Sequence, residues 1–259
     1  MLLKKREGIL LIFLTGIMLC GISLLAGAVQ GEDVWAKDGY SNEKVEKIIP
    51  DEEILSDLNN YEDLSIEELQ TLNNGEVPIY KDQETGMVRM IEGQFSNRVV
   101  KNTKDALMAL LSVRSIMGIK EYSFTCMKVD GERNESCVYF LQQLYKEIPV
   151  DSGIFRVAVT KDGKTISVSG TYRDKIEVDQ NPQMTSEEAE KILDLPSGSH
   201  INNVEPVIYG TQKDDYALAW KFDVSYREFF QETDRKEIYV DDVSGTVLSE
   251  TSMINTGVY

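Results

Sequence analysis

Catalysis needs a nucleophile, a base or a metal ligand at a usable spacing, and this chain offers few. It has a single histidine, His200, in the stretch PSGSHINN. Any Ser-His or Cys-His mechanism would have to be built on it, and the chain has no GxSxG elbow to present a serine. It has no HExxH and no second histidine to complete a zinc site of that kind. A histidine beside Gly198 and Ser199 reads as a surface residue. Carboxylate pairs such as Asp214-Asp215 and Asp241-Asp242 have the makings of a glycosidase dyad. With 44 acidic residues in the chain, however, such neighbours arise by chance. Asp130-Gly131-Glu132 and Asp162-Gly163 read as turns, and neither fits an EF-hand loop. The expectation is therefore a protein that is not an enzyme and that holds no metal or cofactor.

Charge and cysteines narrow the class further. Lys4, Lys5 and Arg6 precede a charge-free run of 22 residues, Gly8 to Val29. A basic start, an apolar run and the small residues Ala26-Gly27-Ala28 read as an export signal cut after Ala28. The run is also long enough for an uncut membrane anchor. Either way the basic flank places the rest outside the membrane, secreted or tethered to its outer face through residues 8–29. A lipid attached at Cys20 fits less well, because Leu19 stands where such signals carry a small residue. The net charge of −17 argues against nucleic acid and anionic lipid as partners. Beyond the first 28 residues two cysteines remain, Cys126 and Cys137. In an oxidising compartment an even pair predicts a disulfide, here across a hairpin.

The elements that would position any site are mostly strands. Residues 29–75 form an acidic spacer with short helices, the clearest being SIEELQTLNNG, where Ser65 and Glu68 make a capping box and Gly75 a stop. VPIYKDQETGMVRMIEG predicts two strands around Glu84-Thr85-Gly86. Asn102 or Thr103 caps a helix whose apolar stripe is Ala106, Leu107, Leu110, Leu111 and Val113. YSFTCMKVDGERNESCVYFLQQLY predicts a hairpin with Cys126 and Cys137 near one level. Asp162-Gly163 predicts a two-residue turn that pairs Val159 with Ile166 and Val157 with Val168. Phe155, Val157, Val159, Ile166 and Val168 then face a core, while Arg156, Thr160, Thr165, Ser167 and Ser169 form a wet face, the candidate interface. After EVDQNP, Thr185 and Glu188 form a second capping box, with Ala189, Ile192 and Leu193 inward. The strand DYALAWKFDVSY and the hairpin KEIYVDDVSGTVLSE follow. The fold class is α+β, with two small modules, each an antiparallel sheet with a helix on one face.

At FLQQLYKEIPVDSG and FRVAVTKDGKTISVSGTY the sequence resembles the fungalysin/thermolysin propeptide (FTP) domain. The matching residues are Gln142, Gln143, Tyr145, Ile148, Pro149, Val150, Asp162, Gly163, Val168, Gly170 and Tyr172. Glu147 stands where that family usually has glycine. The second unit resembles a PepSY (cystatin-like) domain through SEEAEKIL and EIYVDDVSGTVL, with Tyr239, Val240, Asp241, Gly245 and Val247 matching. The resemblance implies an FTP-like domain at 76–180, a PepSY-like domain at 181–253 and a tail at 254–259. FTP followed by PepSY is the arrangement of the pro-region of thermolysin-like metallopeptidases, which resembles a folding template and inhibitor for the zinc protease. No peptidase domain follows in this chain, so the expectation is a stand-alone protein that binds an extracellular metallopeptidase in trans, with its tail TSMINTGVY lying in the protease cleft. Two alternatives stand beside it: an envelope binding or sensor module for a peptide or other extracellular partner, and a truncated pro-region of a metallopeptidase.

Overall fold

The stretch between Phe124 and Gly170 places four strands side by side, and the rest of the molecule is built outward from them. The structure, a computed structural model, describes residues 63–131, 136–212, 215–226 and 234–253, all within one compact unit. The expected export signal, most of the spacer and the tail lie outside the described residues.

Local signals set the helices. Ser65 and Glu68 cap α1 (Ile66–Leu72) reciprocally, and Asn73 closes it. Asn102 caps α2 (Thr103–Leu111), its side chain accepting from the Asp105 N–H. The expected stripe of α2 is too narrow. Every residue from Ala106 to Leu111 is buried, because the helix is enclosed by strands and by flanking chain. Next, α3 (Arg114–Met117) ends on left-handed Gly118. The strands of this first half are β1 (Ile79–Lys81), β2 (Val88–Glu92), β3 (Phe124–Asp130), β4 (Ser136–Tyr145), β5 (Ile148–Thr160) and β6 (Thr165–Gly170). Their core holds Phe95, Phe124, Leu141, Phe155, Val157 and Val168 with the α2 residues. Phe124 and Phe155 meet edge to face with ring centroids 5.8 Å apart.

Two register expectations are corrected. Val157 does oppose Val168, but Val159 opposes Thr165 rather than Ile166. The turn closes through Gly163 N–H to Thr160 O at 2.8 Å, with Gly163 at φ 77°. This is a three-residue loop ending in a left-handed glycine, not a two-residue turn. The extra residue rotates Thr165 inward, where it is 4 % exposed. There its Oγ1 accepts from the N–H groups of Phe95 and Ser96 at 3.0 and 3.3 Å. Thr165 therefore leaves the wet face. Cys126 opposes Leu141, four residues from Cys137, and Asp130 pairs with Val138. The hairpin turns further along the chain than an opposed cysteine pair requires. Four residues are about 13 Å of strand, whereas disulfide-linked Cα atoms lie within about 7 Å. Both thiols are free, and the expected disulfide is absent.

The second half comprises α4 (Ser186–Glu190), β7 (His200–Gln212), β8 (Asp215–Tyr226), β9 (Asp234–Asp241) and β10 (Val247–Ser252). Thr185 and Glu188 form the expected capping box. The helix is a single short turn or so, however, and Ile192 beyond it is 40 % exposed. Ala189 of α4 packs on Phe222, Val224, Ile238 and Val240. The strands β7 to β10 form an antiparallel meander. The two halves are not separate sheets. The strand order is β1-β2-β6-β5-β7-β8-β9-β10, with β4 on β5 and β3 on β4. β5 carries the join: its later residues pair with β6, and Val150 pairs in parallel with Ile208 of β7.

Candidate functional site

The residues from Gln142 to Tyr172 that carry the resemblance prove to be a frame rather than a contact surface. Gln143 brackets the backbone of Arg173, accepting from its N–H at 2.9 Å and donating to its carbonyl at 2.7 Å. Gln142 donates to Val150 O at 3.3 Å. A side chain is 3 % exposed at Gln143 and 8 % at Gln142, so these amides replace backbone partners the strand cannot offer. Tyr145 faces Ile148 across a two-residue turn, and Pro149 faces Leu144. Lys146 and Glu147 both adopt positive φ, 47° and 73°, so the turn keeps the left-handed form with glutamate in the glycine's place. Tyr172 OH accepts from the Glu121 N–H at 3.1 Å. A Cβ on Gly170 would lie 2.6 Å from Ile154 O, and one on Gly163 2.5 Å from Val100 O.

The second set behaves alike. Asp241 accepts from Ser244 N–H at 2.6 Å, and Gly245, at φ 67°, closes that turn back onto Asp241 O. Val240 lies in the core under α4. Asp242, read from sequence as a chance neighbour, is 1 % exposed. It accepts from Gln183 N–H at 2.6 Å and Met184 N–H at 3.3 Å, tying the approach to α4 onto the end of β9.

Of the expected interface, Arg156 and Ser169 stand opposite each other, and Ser167 lies two residues along the same face. Thr160 belongs to the turn, its Oγ1 accepting from Lys164 N–H. The register extends this face across five strands in the line Lys128, Phe140, Arg156, Ser169, Met90. Phe140 was missed by the sequence reading, although the β4–β5 register would have found it. Its ring lies between Lys128 Nζ at 4.5 Å and Arg156 Cζ at 5.6 Å. Lys128 also reaches Asp130 at 3.5 Å. The result is a sheet face with a half-buried aromatic flanked by two cations.

A second polar cluster gathers where β5 meets the second half. Lys221 Nζ lies 3.1 Å from Asp151 Oδ1 and 2.9 Å from Glu237 Oε1. Tyr239 OH donates to the same Asp151 oxygen at 2.9 Å or to Glu237 Oε2 at 3.2 Å, and its ring packs on Tyr209. Burial pulls the Lys221 ammonium down, but Asp151, Glu237 and Tyr239 more than reverse this and hold it above its ordinary value. Burial, then Asp151, pushes the Tyr239 phenol up. The Glu205 carboxyl is raised by burial, with Asp151 and Glu237 adding to the rise against the pull of Lys221. These residues come from β5, β7, β8 and β9, and only Tyr239, through the PepSY-like pattern, is marked by the sequence. His200 is exposed at the start of β7, as expected of a surface residue. Among the described residues no group of three or more histidine, cysteine or acidic side chains is arranged to hold a metal.

Residues 134–172 match the Fungalysin/Thermolysin Propeptide Motif (FTP). The matched segment is a propeptide motif, not a catalytic domain, and it covers β4, β5 and β6, the frame just described. No curated protein matches the chain. Among solved structures, the Bacillus megaterium YpeB C-terminal domain is similar over 75 % of this chain and 100 % of its own, at 13 % identity and a TM-score of 0.41.

Proposed function

We propose that this protein is a pro-region-type binding protein for a thermolysin-like metallopeptidase, acting on it in trans as inhibitor, folding chaperone or both. The observation that carries this reading is the propeptide match over residues 134–172. Its support is physical as well. The matched residues spend their hydrogen bonds on their own backbone, which yields a rigid sheet whose open face bears Phe140 between Lys128 and Arg156. A rigid sheet of this kind lowers the ordering cost of binding. The same proposal takes residues 1–28 as export signal or anchor, 76–180 as the propeptide-like part and 181–253 as a PepSY-like part.

The test adds the purified full chain to thermolysin-like proteases secreted by the same organism. Protease activity and the refolding yield of the denatured protease are both followed. Inhibition or improved refolding of at least one protease is expected, weakened about tenfold by Phe140→Ala. Unchanged activity and refolding across all of them would sink the proposal.

A further inference from the structure

The two halves of the sheet meet through very little backbone: the parallel pairing of Val150 with Ile208. Beside it, Asp151 accepts from Lys221 Nζ and from Tyr239 OH through one oxygen. Lys221 belongs to β8 and Tyr239 to β9, two and three strands from β5 in the sheet order. Three strand spacings are about 14 Å, so the lysine and tyrosine side chains lean back across β7 to reach a carboxylate on β5. Glu237 holds the other side of the same ammonium. The exposures of the Lys221, Asp151 and Glu237 side chains are 19 %, 22 % and 26 %. Water therefore screens these contacts only in part.

We infer that Asp151 is a latch that fixes the orientation of the β7–β10 half against the β1–β6 half, with Lys221 and Tyr239 as its two keepers. The main core of neither half includes Asp151 or Lys221, while Val150, Ile176, Ile208 and Leu218 pack across the join and the Tyr239 ring packs with Val207 and Ala219. The first core is built on α2, Phe124 and Phe155, and the second on Ala189, Phe222 and Val240. Releasing the latch therefore loosens the join and leaves both cores intact. The inference stands apart from the proposed partner, since it concerns the free protein.

The experiment is native-state amide hydrogen exchange on the full chain, read by segment. Asp151→Asn keeps the shape but removes the charge that binds Lys221. Segments 146–154 and 206–210 should then exchange at least tenfold faster. Segments within 155–168 and 220–224 should stay within about twofold of the unaltered protein. Tyr239→Phe removes one keeper's hydroxyl alone and should give a smaller change at the same two junction segments. If Asp151→Asn does not fold, Tyr239→Phe decides by itself. Uniform acceleration everywhere would overturn the inference, because the cluster would then stabilise the molecule as a whole. So would an unchanged junction.

Discussion

Glu205 shows how one charge among like charges works against the folded state. Its carboxyl titrates above the ordinary 4.5 because of burial, with Asp151 and Glu237 nearby. A raised acid favours folding in its protonated form. That contribution is fully present below the unfolded value near 4.5 and is lost as pH rises through the folded value. Glu205→Gln, neutral throughout, should therefore raise the urea midpoint at neutral pH and leave it unchanged at about pH 3.5. A gain of equal size at both would mean that charge is not the cause. Asp223, by contrast, is held below the ordinary aspartate value: burial alone would raise it, but Arg235 and Asn202 outweigh that. Its stability is lost as pH falls, so the two acids lean in opposite directions within a few residues of sheet.

The turn between β4 and β5 is the element where sequence and geometry disagree most plainly. Left-handed φ at Glu147 costs an L-residue of this type on the order of 1 kcal/mol. Glu147→Gly should stabilise the protein by about 0.5 kcal/mol, after the greater freedom of glycine in the unfolded chain is counted. Equilibrium unfolding in urea measures it, and a loss of stability would show that the glutamate side chain compensates for its backbone. Elements specified within one turn of chain are legible in the sequence: the caps Ser65 and Thr185 hold, and of the two candidates Asn102 and Thr103 the cap is Asn102. Asp162-Gly163 was read as a turn correctly but with the wrong length. The dipeptide serves a two-residue and a three-residue loop equally well, and the choice is made by distant chain. Val100 N–H donates to Gly163 O, and Thr165 satisfies Phe95 and Ser96 some seventy residues away. The cysteine register failed because Asp130-Gly131 marks a turn early in the polar run, whereas the pairing itself puts Asp130 opposite Val138 and so shifts Cys126 to Leu141. The cluster around Asp151 was not legible as a cluster, although Tyr239 was named, since its members meet only once four strands are aligned.

At the scale of the molecule, the continuous sheet predicts cooperative behaviour. Trp220 packs against the core under α4 and Cys126 is buried in the first core, so each reports one half. With Trp35 replaced by phenylalanine, indole fluorescence and thiol labelling in urea should give the same midpoint. Midpoints separated by more than about 0.5 M urea would mean that the halves unfold independently. The expectation of two modules thus meets a structure in which β5 belongs to both: it carries the propeptide motif residues and also the only pairing, among the described residues, that joins the second half. That shared strand bears on descent as well as on folding. Domains that meet through a linker can be exchanged between genes with little harm, because a breakpoint in the linker cuts no contact. Here a breakpoint after β6 would still leave Val150 and Asp151 shaped for an Ile208, a Lys221 and a Tyr239 from a particular second half. Lineages that keep this strand are therefore expected to pass on both halves together, and a transplanted half would need its matching strand to come with it.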